Sequence, residues 1–190
     1  MQDGHVEADG LRIRYMEEGQ GAPLVHLHGT GDLRLTPAHG LLARRFRVMA
    51  IETPEADQSP ESAATMGRAL TALGLDSFNL LAGSLACRTA LRVALHAPER
   101  VLALVLESPG RDADLEARLP GLAMPTLVLL GTRGAGVAPA LGPNGHLVFV
   151  YDAASTIGAD RPEAFAEVVA DFLERHEAFV ISRTATVIHP

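Results

Sequence analysis

Cysteine occurs once in the 190 residues, at Cys87, which excludes an internal disulfide framework and any multi-cysteine metal site. A basic cluster is also missing. Sixteen basic residues lie scattered against 23 Asp and Glu, for a net charge of −7, and this leaves no electrostatic footprint for nucleic acid or an anionic membrane. No run approaches the roughly 18 apolar residues that a membrane span needs, and the opening "MQDGHVEADG" has no basic start followed by an apolar stretch. HExxH, paired-ligand spacing and a Gly-rich phosphate fingerprint are absent, and the histidines look dispersed along the chain, so neither a metal nor another cofactor is expected. Repeats, low-complexity segments and linkers are likewise missing. These absences predict a soluble, cytoplasmic chain with a single domain over 1–190, in which 180–190 form a loose tail.

What is present is a regular alternation. At 47% hydrophobic residues the chain can bury a core of its own. "HVEAD" and "LRIRYMEEG" flank Asp9-Gly10, a pair suited to a tight antiparallel hairpin because glycine tolerates positive φ. Then "PLVHLH", "FRVMAIE", "FNLLAG", "VLALVLES", "TLVLLGT" and "LVFVYD" follow as short buried strands. Between them "PAHGLLARRF", "SPESAATMGRALTALGL" and "SLACRTALRVALHAPER" carry apolar or small residues at helical spacing. A last helix is predicted from Pro162 to about Phe179, burying Phe165, Val168, Val169 and Phe172. The pattern specifies an α/β class with a doubly wound, mostly parallel sheet. The tail "AFVISRTATVIHP" alternates β-branched residues; it reads either as a frayed end or as a strand that joins another chain's sheet edge in a homodimer.

Several stretches in the right order give the chain a family resemblance over nearly its whole length. "VHLHGTG", "NLLAGSLACRTALRVALHAPERVLALVLESP", "MPTLVLLGTR" and "DRPEAFAEVVADFLERH" resemble the oxyanion loop, the nucleophile elbow with its helix and strand, the penultimate strand and the closing helix of the α/β-hydrolase superfamily. The resemblance implies an active site beyond the C-terminal ends of the strands, with Ser84 at the nucleophile position of a strand-turn-helix elbow. It also implies oxyanion donors at the backbone N–H groups of Thr30 and Leu85. Without a family context, Ser84 would be a helix cap and "HLHGTGD" a Gly-rich connection.

The resemblance fails at the other two members of the triad. Gly134 stands where the family places its acid, and no Asp or Glu occurs from Ala117 to Tyr151. Ser155 stands where the histidine belongs, and no histidine occurs from Leu147 to Arg175. Glu107 occupies a substitute acid position after the sixth strand. His28, beside the oxyanion loop, is the one histidine expected near Ser84, with His39 a weaker candidate; His28 either satisfies its ring on loop backbone or serves as base. Cys87 reads as a small buried thiol. Only a short helix, Asp112 to Leu119, replaces the cap often inserted after the sixth strand.

Losing the serine or base of an intact triad lowers turnover on the order of a million-fold, and an oxyanion hole with binding alone keeps roughly a thousand-fold over water. The sequence therefore predicts a protein resembling serine esterases that act on a small ester-like ligand, with weak or no turnover. The alternatives are a non-catalytic pseudo-hydrolase used for binding or assembly, an engineered or minimised scaffold, and an enzyme of another reaction type on the same fold.

Overall fold

The computed structural model describes residues 1–29, 33–53, 60–134, 136, 138–176 and 187–188. Asp9 and Gly10 both take positive φ, 52° and 78°, and turn β1 (Gln2–Ala8) back on β2 (Leu11–Glu18) with Ala8 opposite Leu11. The Asp9 carboxylate also accepts hydrogen bonds from Thr65 Oγ1 at 2.6 Å and Arg68 Nε at 2.8 Å. The hairpin turn is thereby pinned to a helix more than fifty residues downstream.

The remaining elements alternate as the periodicity predicts: β3 (Ala22–His28), α1 (Pro37–Leu42), β4 (Phe46–Glu52), α2 (Pro60–Ala72), β5 (Phe78–Gly83), α3 (Ala86–His96) and β6 (Val101–Glu107). Then come α4 (Ala113–Arg118) with a 3-10 turn at Leu119–Gly121, β7 (Thr126–Gly131), β8 (Gly145–Val150), α5 (Ile157–Asp160), α6 (Pro162–Arg175) and β9 (Val187–Ile188). They form one nine-stranded sheet in the order β1-β2-β4-β3-β5-β6-β7-β8-β9. The β1–β2 and β2–β4 pairs are antiparallel, and every later pair is parallel.

The central strands lack alternation because both faces are covered. On one face Leu80 and Leu104 pack with Met66 and Leu70 of α2 and Ala90 of α3. On the other, Leu24, Leu81 and Val105 pack with Leu42 of α1 and Phe165, Val169 and Phe172 of α6. Helix α3 can lie close to the sheet because Ala86, Ala90 and Ala94 face it, all buried. This is the doubly wound sheet with an N-terminal hairpin, and between β6 and β7 the chain forms only α4 and the 3-10 turn. No helix among the described residues is long and apolar enough to cross a membrane.

Two differences from expectation concern the C-terminal part. Helix α5 is too short to leave a periodic signal. Val187 and Ile188 pair in parallel with Phe149 and Val150 of β8 in the same chain, so these two residues occupy this chain's own sheet edge. The predicted end of the last helix at Phe179 and the loop 54–59 lie outside the described residues.

Candidate active site

Beyond the C-terminal ends of β3, β5 and β6 lies a cavity of about 270 Å³. Ser84 stands at its rim, between the last residue of β5 and the first turn of α3, with φ 46° and an exposed side chain. A non-glycine residue at positive φ is held there by its surroundings. Here the Ser84 N–H donates to the Glu107 carbonyl at 2.9 Å, and the Ser84 carbonyl accepts from Cys87 N–H at 3.3 Å. Leu85 follows in helical conformation, 85% exposed, and lines the same cavity. Cys87 is buried; its thiol donates to the Ala82 carbonyl at 3.3 Å, and burial pushes its pKa up, as suits a packing thiol.

Glu107 ends β6 and is only 8% exposed. Burial pushes its carboxyl up to about 7, against the backbone N–H groups of Gly158 and Ile157 that hold it down, with Asp160 nearby raising it further. Oε1 accepts from Gly158 N–H at 2.8 Å. On the other side, a Cβ at Gly83 would lie 3.0 Å from Glu107 Oε2, so glycine next to the serine makes room for the acid. The carboxyl thus braces the loop after β8 that carries Ser155 and Thr156, both of which line the cavity.

The histidines correct the sequence reading. They are not dispersed: candidate ligand nitrogens of His26, His28 and His39 lie within 4.8 Å of one another, and all three residues line the cavity with Ser84. His28 is therefore not the one histidine near the serine. His26 and His28 alternate on β3 and so share the face toward α1, and the ring centroids of His26 lie 4.1 Å from His28 and 4.9 Å from His39. The period-2 pair in "VHLH" was the signal that could have found His26. His39 sits at the third position of α1, where its Nδ1 accepts the Thr36 N–H at 2.9 Å, the task of the Glu or Gln in a capping box. His39 Nε2 and His26 Nδ1 are 2.8 Å apart. Burial, with His28's charge second, lowers His39 to about 4 and puts His26 well below 6.5.

Ser84, Leu85, His28 and Glu107 thus share one cavity, and Thr30 lies outside the described residues. The three histidines are the described group whose nitrogens are close enough to share a metal ion. However, His39 Nδ1 is occupied by a backbone donor, which places the proton of the neutral ring on the nitrogen facing the cluster.

The model of the alpha/beta hydrolase fold family matches residues 23–130, and the chain belongs to that family. An uncharacterised protein of Mycobacterium tuberculosis is 27% identical over 94% of this chain and 56% of its own length. The 2-hydroxy-6-oxononadienedioate/2-hydroxy-6-oxononatrienedioate hydrolase 2 of Pseudomonas putida is 29% identical over 88% of this chain and 62% of its own. The chain therefore spans little more than half the length of these relatives. Among solved structures, a carboxylesterase of Bacillus subtilis superposes with a TM-score of 0.76 at 17% identity, covering 90% of this chain and 91% of the other.

Proposed function

We propose that this protein is a serine-hydrolase-like member of its family with an incomplete triad, one that turns over acyl esters weakly. In this reading Ser84 is the nucleophile, the Leu85 and Thr30 N–H groups are the oxyanion donors, and His28 with Glu107 stands in for the family's base and acid. The observation that carries it is that Ser155, where the family's histidine belongs, lines the same cavity as a Glu107 carboxyl that is bonded to the Gly158 backbone. His26 and His39 are weak substitutes, since each spends its Nδ1 lone pair on a neighbour. The positive φ at Ser84 supports a retained elbow, and the names of the Pseudomonas and Bacillus proteins place hydrolytic chemistry on related scaffolds.

Intact-mass labelling with a fluorophosphonate tests this without knowledge of the substrate. The wild type is expected to label over hours, Ser84→Ala not at all, and Ser155→His faster than the wild type, because an imidazole would again stand between Glu107 and Ser84. Absence of labelling in the wild type at long exposure would turn the reading to a non-catalytic binding module.

A further inference from the structure

A backbone N–H fixes the protons of two cavity histidines. Thr36 N–H can only donate, so His39 Nδ1 is a lone pair, and the neutral ring carries its proton on Nε2. That proton is donated to His26 Nδ1 at 2.8 Å, which leaves the His26 proton on its own Nε2. Burial keeps both rings neutral near pH 7. His26 is 7% exposed and lines the cavity, and its Nε2 has no hydrogen-bond partner among the described residues. It is a fixed donor without an acceptor.

Such a group polarises a ligand oxygen and accepts no proton. It also opposes a metal ion, because binding at His39 Nε2 would have to expel a proton that the Thr36 N–H holds in place. Around this donor the wall is largely apolar, with Leu27, Ala38, Leu42 and Phe165, while Arg34 brings a positive charge to the same cavity. We propose that the cavity binds a small carboxylate with an apolar body, His26 Nε2–H donating to a carboxylate oxygen. The proposal rests on reading this cavity as the ligand site, and it does not need Ser84 to be reactive.

Long-range ¹H–¹⁵N correlation spectra of the Ser84→Ala protein at pH 7 test the proton positions, and titration with hexanoate and hexanol tests the ligand class. His26 and His39 are expected as Nε2–H tautomers, with hexanoate moving the His26 Nε2 resonance. Hexanoate is expected to bind at least about ten-fold more tightly than hexanol, the scale of a hydrogen bond to a charged group. His26→Phe, which keeps a ring and removes the donor, is expected to lower hexanoate affinity by about ten-fold and leave hexanol unchanged. An imidazolium or Nδ1–H tautomer at His26, equal affinity for the two ligands, or stoichiometric tetrahedral Co²⁺ binding would overturn the proposal. The first two readouts hold even where His26→Phe fails to fold. Hexanoate binding without fluorophosphonate labelling would sink the catalytic reading and spare this one; labelling without carboxylate selectivity would do the reverse.

Discussion

Glu107 and His39 pull the pH dependence of stability in opposite directions. A carboxyl raised from 4.5 to about 7 on folding holds its proton more tightly in the folded state. Its contribution is complete below pH 4.5 and is lost as pH rises to 7, by up to about 3 kcal/mol. His39, lowered from 6.5 to about 4, contributes above pH 6.5 and loses its contribution as pH falls to 4. The slopes overlap between pH 4.5 and 6.5. Glu107→Gln keeps an oxygen for Gly158 and removes one slope, so between pH 5 and 8 urea denaturation should show it gaining about 2–3 kcal/mol relative to the wild type. Much of the cavity's lining was legible in the sequence: Ser84, Leu85, His28 and Glu107 sit at strand ends that the family pattern aligns, and all four line it. His26 was not, because its Nδ1 meets His39, a residue brought near by the turn into α1. Glu107's bond to Gly158 is equally non-local, spanning 51 residues.

At the scale of elements, the buried strands were legible because covered faces demand continuous apolar runs, and α2, α3 and α6 because each shows an apolar stripe against a sheet. Helix α5 was not legible; its first N–H groups are held by a carboxyl from β6. The loop ahead of it depends on another contact. A Cβ at Gly131, the last residue of β7, would run into the Ala153 and Ala154 carbonyl oxygens. Gly131→Ala is expected to lower stability by about 1–3 kcal/mol, as forced overpacking does, and to slow labelling at Ser84 in Ser155→His by shifting the loop that carries residue 155. Thermal denaturation and the labelling rate measure the two effects separately.

In the whole molecule, β3, β5 and β6 lie inside the sheet with both faces covered, whereas β1 and β9 are its edges. Native-state hydrogen exchange should therefore show the slowest amides in β3, β5 and β6 and the fastest strand amides in β1, with protection following burial. Topology was legible as far as the order of motifs reached, since parallel strands joined by helices admit few arrangements. The place of Val187 and Ile188 beside β8 was not, because two residues of β-branched sequence do not specify which edge they join. Ser84 and Ser108, directly after β5 and β6, and Asp152, two residues after β8, all hold positive φ without being glycine. The backbone is thus under tension along the one margin of the sheet where the cavity opens. Glycine at Ser108 or Asp152 would relax that margin, and protein engineers seeking robustness would start there. Those seeking to rebuild a reaction would leave the tension in place at Ser84, since it keeps the hydroxyl standing clear of the chain.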